Sequence, residues 1–237
     1  MTSGAGIWAV VPVKSFNSAK GRLAGILQPV ERYQLSRAMM ADVLNVLLGS
    51  NRFAGTVVVT SDEEVADTAI AAGTRVFREP RNQGPAKAVM AAAQWLADKD
   101  CQGIVGIMSD LPAVTVPEID KLLTSHGDPP AVTLAPSRDG VGTNAVVCSP
   151  PDIIGLSFGA ASLTGHLLSA KRHGVQPNII NLPGLGLDLD QPEDLLDFIK
   201  RGLNSHTARY LRKQGIEKRC SNSISVLDLD DSRLRGA

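Results

Sequence analysis

The sequence predicts a single-domain α/β protein in which helices lie on both faces of a mixed, mostly parallel β-sheet. Its 237 residues are 43% hydrophobic and 4% aromatic, which suffices for one sizeable core of aliphatic side chains. Short apolar runs rich in β-branched residues alternate along the chain with segments of helical periodicity. This alternation is typical of right-handed βαβ units, so we expect a three-layer architecture.

Seven segments are expected to form strands. The first, 7–13, is a continuous apolar run and is placed at the centre of the sheet, covered on both faces. The others are 56–60, 75–77, 103–108, 131–135, 145–148 and a part of 175–182. The first run is too short to cross a bilayer and follows no basic stretch, so no membrane or targeting segment is expected.

Helical periodicity and cap residues predict the helices. Leu35, Met39 and Val43 recur on one face of a helix from Pro29 to near Gly49. Other helices are expected over about 63–73, 86–97, 162–171 and from 192 onwards. From about residue 205 the sequence is charged and weakly helical at most, which divides the chain into a domain of 1–204 and a C-terminal helical or flexible tail of 205–237. The tail aspartates are interpreted as solvated: Asp228, Asp230 and Asp231.

Charge and cysteine content exclude several classes of partner. Lysine plus arginine and aspartate plus glutamate both number 24, so no global field gathers nucleic acid or an anionic membrane. Any anionic ligand must therefore be held by a local cluster. The three cysteines are widely spaced and form no Cys-x-x-Cys pair, which argues against a disulfide framework or a zinc site and favours a cytoplasmic protein.

Three aspartates are candidate metal ligands. Asp188 and Asp190 are separated by one residue, so in an extended segment their side chains share a face. Asp110 ends the fourth predicted strand, at the edge where open α/β sheets bind ligands. Such carboxylates suit Mg²⁺ completed by water and phosphate oxygens. The alternative is structural, with Asp110 as a turn residue before Pro112 and the pair as a solvated strand end before the helix at Pro192.

A loop with three cations follows the first predicted strand. Lys14, Lys20 and Arg22 lie in a stretch of small residues at the ligand-binding edge, without the spacing of a Walker phosphate loop. They are candidates for neutralising bound phosphates, although an ordinary solvated basic turn has the same composition. Lys87, in the first turn of a predicted helix, is interpreted as a solvated lysine.

Two further segments are candidates for holding an anion. Before the sixth strand, Gly140 and Gly142 let the backbone approach a ligand closely, and Thr143 adds a hydroxyl. Ser162 opens a helix, where free amides favour an anion, although capping alone also explains a serine there. His166, one turn later, is more often a core or surface histidine than a catalyst.

Several segments, in unbroken order, resemble one enzyme family. They are 9–16, 19–23, Asp-Leu-Pro at 110–112, 136–144 and Leu-Gly-Leu-Asp-Leu-Asp at 185–190. From about residue 7 to 202 the chain is similar to the guanylyltransferases of coenzyme F-420 biosynthesis, which join GTP to a three-carbon phospho-acid. The resemblance implies a Rossmann-like, GT-A-like nucleotidyltransferase fold and makes 1–204 the guanylyltransferase domain.

The resemblance also implies ligands and site residues. In that family the aspartates matching Asp110, Asp188 and Asp190 hold Mg²⁺, and the positions matching Thr143, Gly159 and Ser162 contact the phospho-acid. The loop with Lys14, Lys20 and Arg22 is expected at the phosphates of GTP. A downstream transferase of the coenzyme pathway is the implied partner, because the guanylylated acid is labile, and the tail could cross to a second subunit in a homodimer.

Two segments depart from the family pattern. Family members commonly carry Gly-Leu-Asn-Ala where this chain has Gly84-Pro85-Ala86-Lys87, so an amide expected near the nucleotide is absent. Ala160 and Ala161 stand where Pro-Gly is usual, at the expected acid site.

The implied reaction agrees with the residues. A phosphate monoester with a second pKa of about 6 is largely dianionic at neutral pH, so it can attack GTP without a protein base. Phosphoenolpyruvate is the first candidate acid, with 2-phospho-L-lactate and 3-phospho-D-glycerate as others. Two alternatives stay open: a sugar-phosphate nucleotidyltransferase or glycosyltransferase of the same fold, and a non-catalytic GTP-binding relative.

Overall fold

The computed structural model describes residues 6–99 and 101–220, and Asp228, Asp230 and Asp231 of the predicted tail lie outside them. In this part of the chain the strands are β1 Ile7–Pro12, β2 Gly55–Thr60, β3 Arg75–Arg78, β4 Gly103–Ile107, β5 Ala131–Pro136, β6 Thr143–Ser149 and β7 Asn178–Ile179. They form one sheet in the order β3-β2-β1-β4-β6-β5-β7.

The strand directions confirm the mixed, mostly parallel sheet. β1 pairs in parallel with β2 and β4, β2 with β3, and β5 with β7. Only β6 among these strands is antiparallel to its neighbours, β4 and β5. Because β6 runs the other way, its first residue, Thr143, lies at the sheet edge where β1 and β4 end.

Helices on both faces of the sheet confirm the three layers. They are α1 Pro29–Gly49, α2 Glu63–Ala71, α3 Pro85–Ala97, α4 Val116–Thr124, α5 Ser162–Arg172, α6 Pro192–Lys200 and α7 His206–Lys213. Successive β1 residues face opposite layers, as the period of a strand requires. Val11 packs in the core shared with α1, α2 and α4, whereas Val10 packs in the core shared with α3 and α5.

Helix α4 is absent from the sequence-based prediction. Its nine residues give only a short periodic pattern, in which Ile119 and Leu122 are buried. A signal for its start is nevertheless present in the sequence. Thr115 and Glu118 form a capping box, each side chain accepting from the other residue's backbone N–H.

The described part of the segment from residue 205 contains a helix, one of the two forms expected of the tail, and this helix is packed against the domain. Helix α7 buries Ala208 and Leu211 in a third hydrophobic cluster that includes Phe198 of α6. Its first amides are capped by Asp42 of α1, whose two oxygens accept from His206 N–H at 2.7 Å and Thr207 N–H at 2.8 Å. Ser205 is the local N-cap, since its Oγ accepts from Ala208 N–H at 3.2 Å. The Asp42 contact spans 164 positions of the chain, so local sequence patterns do not indicate it.

Among residues 6–99 and 101–220, no helix has both the length and the apolar character needed to cross a membrane.

Candidate functional site

The predicted site residues converge on one edge of the sheet. β1 to β4 end at this edge and β6 begins there, so Asp110 after β4 and Thr143 at the start of β6 are neighbours along it. Leu189 N–H donates to Asp110 O at 3.2 Å. This bond brings the segment with Asp188 and Asp190 to the end of β4.

Lys20 lies at the centre of the ion pairs. Its Nζ donates to Asp110 Oδ2 at 2.6 Å and to Asp190 Oδ1 at 2.7 Å, and its side chain is 5% exposed. Its backbone is left-handed, with φ of 56°, just before the short 3-10 helix Gly21–Leu23. Burial alone would lower the pKa of Lys20, but the two carboxylates outweigh burial and raise it. The ammonium therefore stays charged at neutral pH.

The other two cations of this loop lie further out. Arg22 Nη1 donates to Asp190 Oδ2 at 3.2 Å from a side chain that is 68% exposed, and Lys14 is exposed beside a cavity. Burial would raise the pKa of Asp190, but Lys20, followed by Arg22 and Lys14, lowers it below its usual value. Lys14 and Arg22 can therefore offer donors to a bound anion while Asp190 stays ionised.

Asp188 is held by an amide instead of a cation. Its Oδ1 accepts from Asn144 Nδ2 at 3.1 Å, and the same amide donates to Leu185 O at 3.0 Å. In the described part of the chain no cationic side chain pairs with Asp188. Burial, with the nearby charges of Asp110 and Asp190, raises the pKa of Asp188 despite the amide hydrogen bond.

A divalent cation fits the donor chemistry of these carboxylates. Hard cations such as Mg²⁺ prefer carboxylate oxygens, and Asp188 lacks a positive partner. However, the Lys20 ammonium separates Asp110 from Asp190, and no three Asp, Glu, His or Cys side chains within 6–99 and 101–220 are arranged to hold an ion. A cation bound by all three aspartates therefore requires the Lys20 side chain to move aside.

The hydroxyl of Thr143 is oriented by a buried histidine. His166 Nε2 accepts from Ser157 N–H at 3.1 Å, which leaves the proton of the neutral ring on Nδ1. Nδ1–H then donates to Thr143 Oγ1 at 3.1 Å. Burial lowers the pKa of His166 to about 4, so the ring is neutral. Thr143 lines a cavity and keeps its own hydroxyl proton to donate to a ligand there.

Ser162 lies behind Thr143 instead of lining that cavity. It is 2% exposed, and its Oγ accepts from Thr143 N–H at 2.8 Å. Gly159 does line the cavity. Ala161, one of the two departures from the family pattern, has a left-handed φ of 60°. This backbone conformation favours glycine, which is the residue usual at that position.

Two cavities adjoin at the aspartates. The first, of about 310 Å³, lies between the loop after β1 and the segment 79–85 after β3. The second, of about 470 Å³, lies between the segments 137–144 and 158–160. Met108, Asp110 and Asp190 line both cavities. A ligand in each cavity would therefore present its reacting end at these shared residues.

An ion-pair network supports the Asp190 segment. Asp194 Oδ2 accepts from Asp190 N–H at 3.1 Å and from Gln191 N–H at 2.7 Å, which caps α6. Its other oxygen accepts from Arg138 Nη2 at 2.6 Å, and Arg138 also pairs with Asp197. Sequence reasoning missed this network and Asn144 because the partners are far apart in the chain and no spacing rule connects them.

The structure therefore brings most of the predicted residues together. Those lining one or both cavities are Lys14, Lys20, Arg22, Asp110, Asp188, Asp190, Thr143 and Gly159. Ser162 contributes through Thr143. Lys87 is exposed and lines neither of these cavities, as expected of a solvated lysine.

The chain has the single-domain α/β fold of solved nucleotidyltransferase structures. A solved structure described as a putative nucleotide-diphospho-sugar transferase from Desulfovibrio desulfuricans G20 covers 90% of this chain and 97% of its own, with a TM-score of 0.70. At 18% identity this match shows the shared fold alone. Within this fold class, the chain belongs to the family described as guanylyl transferase CofC like, whose model matches residues 7–229. The resemblance inferred from the motifs is thus confirmed, and the match extends beyond residue 202.

Curated relatives are named for three different acids. A phosphoenolpyruvate guanylyltransferase of Rubrobacter xylanophilus is 32% identical over 80% of this chain and 91% of its own length. A 2-phospho-L-lactate guanylyltransferase of Methanothermobacter thermautotrophicus is 31% identical over 94% and 98%. A 3-phospho-D-glycerate guanylyltransferase of Phenylobacterium zucineum is 34% identical over 86% and 94%. These similar identities do not single out one acid.

Proposed function

We propose that this guanylyltransferase transfers GMP from GTP to a three-carbon phospho-acid and releases pyrophosphate, in coenzyme F-420 biosynthesis in the cytoplasm. The observation that carries the proposal is the pair of cavities that meet at Asp110 and Asp190. One cavity borders Lys14 and Lys20 and takes the nucleotide. The other borders Thr143 and takes the acid.

The reaction is a displacement at the α-phosphorus of GTP. An oxygen of the acid's phosphate forms the new bond, the bond from the α-phosphorus to its bridging oxygen breaks, and pyrophosphate leaves. With a second pKa of about 6 the attacking phosphate is already dianionic at neutral pH, so no protein base is required. The neutral, buried His166 agrees with this, because it is not exposed to take a proton from a substrate.

The cations and the hydroxyl have separate roles. Lys14, Lys20 and Arg22 offset the charge of the triphosphate and of the departing pyrophosphate. While no cation is bound, Lys20 also holds Asp110 and Asp190 together. Thr143 donates its hydroxyl proton to the acid. Asp188 would hold Mg²⁺ together with Asp110 and Asp190 once Lys20 moves aside, and the ion would supply further charge neutralisation at the reacting phosphates.

Phosphoenolpyruvate is our first candidate for the acid, ahead of 2-phospho-L-lactate and 3-phospho-D-glycerate. A guanylylated small acid is labile, so a downstream transferase of the coenzyme pathway takes it over. A homodimer is part of the same proposal, as the tail could cross to a second subunit.

The test is pyrophosphate release from GTP and Mg²⁺ with each of the three acids in turn. We expect release with one acid, and a loss of orders of magnitude in Asp188→Asn and Asp190→Asn with unchanged circular dichroism. The matched control is Asp67→Asn, an exposed carboxylate on α2. Release with a sugar phosphate and with none of the acids would indicate another nucleotidyltransferase. GTP binding without any turnover would indicate a non-catalytic relative.

A further inference from the structure

Glu79 is a carboxylate that the proposed chemistry does not use. It follows β3 directly, and its N–H donates to Thr60 O at 3.0 Å, which extends the pairing of β2 with β3 by one residue. Its partly buried side chain lines the 310 Å³ cavity and has no hydrogen-bond or ion-pair partner within 6–99 and 101–220. Burial raises the pKa of Glu79. When ionised, a partly buried carboxylate without a protein partner can accept two hydrogen bonds from a ligand.

The sheet order fixes where Glu79 lies relative to the phosphate-binding cations. Along the ligand-binding edge, Glu79 follows β3, Lys14 follows β1 and Asp110 follows β4, in the strand order β3-β2-β1-β4. At a strand spacing of about 4.8 Å, the end of β3 before Glu79 is roughly 10 Å from the end of β1 before Lys14 and roughly 14 Å from the end of β4 before Asp110. The cavity thus has the carboxylate of Glu79 at one end, and at the other end it has Lys14 beside the Lys20 ion pairs with Asp110 and Asp190.

This polarity orients a nucleotide in one direction. The triphosphate is repelled by Glu79 and attracted by Lys14, while Lys20 offsets the charge of Asp110 and Asp190, so the α-phosphate can lie near these shared aspartates. The base then lies toward Glu79, between the apolar walls formed by Val59, Ala88 and other residues. The base is the part of the nucleotide that an apolar cavity favours.

A carboxylate distinguishes guanine from the other purines by its donors. The N1–H and the 2-amino group of guanine lie side by side and can each donate to one carboxylate oxygen. Adenine presents an acceptor at N1 and no 2-amino group, whereas hypoxanthine keeps N1–H but lacks the 2-amino group. Hydrogen bonds to an ionised acceptor are also stronger than neutral ones.

We infer that Glu79 determines the specificity for guanine by accepting hydrogen bonds from its N1–H and 2-amino group. The inference rests on the proposed function, because it takes the nucleotide to occupy this cavity. It also supplies a base contact in a chain that has Ala86 where its family commonly has an asparagine.

Calorimetric binding of GTP, ITP and 2′-deoxy-GTP, without acid, tests the inference. The Kd of the wild type for GTP should be on the order of tenfold lower than its Kd for ITP, because ITP lacks one charge-assisted hydrogen bond, and such a bond contributes about a factor of ten in affinity. Glu79→Gln should weaken GTP binding and bring the two Kd values within about twofold. The matched control Glu63→Gln, a neighbouring exposed carboxylate paired with Arg78, should keep the wild-type ratio. The Glu79 side chain makes no hydrogen bond or ion pair with the described residues, so Glu79→Gln removes no such contact from the folded protein.

Three outcomes overturn the inference. One is an unchanged GTP to ITP ratio in Glu79→Gln. Another is a variant that instead loses the preference for GTP over 2′-deoxy-GTP, which would place Glu79 at the ribose. The third is a wild type that does not discriminate GTP from ITP. Pyrophosphate release by the wild type separates these failures from failure of the proposed function, because turnover with GTP can persist in all three.

Discussion

At the residue scale, the Lys20 ammonium lies between two carboxylates instead of in open solvent. The resemblance predicts that Lys20 is a cation for the nucleotide phosphates. The structure adds that its charge holds Asp110 and Asp190 together, which no local sequence pattern indicates because the partners are 90 and 170 positions away.

Lys20→Met should destabilise the fold. It leaves two neighbouring carboxylates without their shared cation, and we expect a loss of roughly 2–4 kcal/mol in the free energy of unfolding, less than for a fully buried pair because both carboxylates are partly exposed. Arg22→Met, at an exposed partner of Asp190, should lose less than about 1 kcal/mol. Urea denaturation without divalent ions measures both, and equal losses would contradict the buried role of Lys20.

His166 should make stability depend on pH. Its pKa is about 4 in the folded protein, below the ordinary 6.5, so between these values the unfolded state binds more protons. Stability therefore rises with pH from about 4 to 6.5 and is lost as pH falls through this window, by about 3 kcal/mol in total. His166→Gln should reduce this slope and leave the smaller contribution of His126, whose pKa burial also lowers. His173→Gln, at an exposed histidine, should retain the full slope. Denaturation midpoints measured across this pH window test the difference.

At the scale of elements, sequence patterns located the strands and most helices, because a buried strand or an amphipathic helix is a local pattern. They did not locate α4, whose periodic stretch is short, or α7, whose apolar face has only a few residues. Both helices depend on caps and on partners, and α7 is capped by Ser205 next to it and by Asp42 of another helix.

Asp42 should stabilise α7 from inside α1. Asp42→Ala leaves the N–H groups of His206 and Thr207 without their acceptor, so we expect a loss of about 2 kcal/mol. The exposed Asp67→Ala on α2 should change stability by less than about 0.5 kcal/mol. Thermal and urea denaturation measure the free energy of unfolding of both variants. Equal effects would mean that the cap contributes little.

The start of α5 should tolerate glycine at Ala161. The left-handed φ of 60° strains an alanine, so Ala161→Gly should raise stability by about 0.5–1 kcal/mol. Ala160→Gly, at a position without positive φ, should instead lower stability by a similar amount. A destabilised Ala161→Gly would show that this backbone conformation carries no strain. The readout is the free energy of unfolding.

At the scale of the whole molecule, the division of the chain into a domain of 1–204 and a tail of 205–237 stays a prediction, which truncation can test. Removing residues 205–237 exposes the cluster in which Leu35 and Phe198 pack with Leu211, so we expect aggregation or a loss of cooperative unfolding. A chain ending at residue 220 keeps this cluster and should therefore still unfold cooperatively. A stable, active fragment of 1–204 would instead establish an independent domain.

The sequence by itself determined the α/β class, the parallel strands, the family and the residue types at the site, because each rests on local periodicity or on a short motif. Only the tertiary structure decided which side chains meet. Four contacts join residues that strand order and helix packing bring together. They are the Lys20 ion pairs, the Asn144 amide on Asp188, the His166 contact with Thr143 and the cap from Asp42. Such contacts depend on how distant elements pack, and a linear pattern does not record that packing.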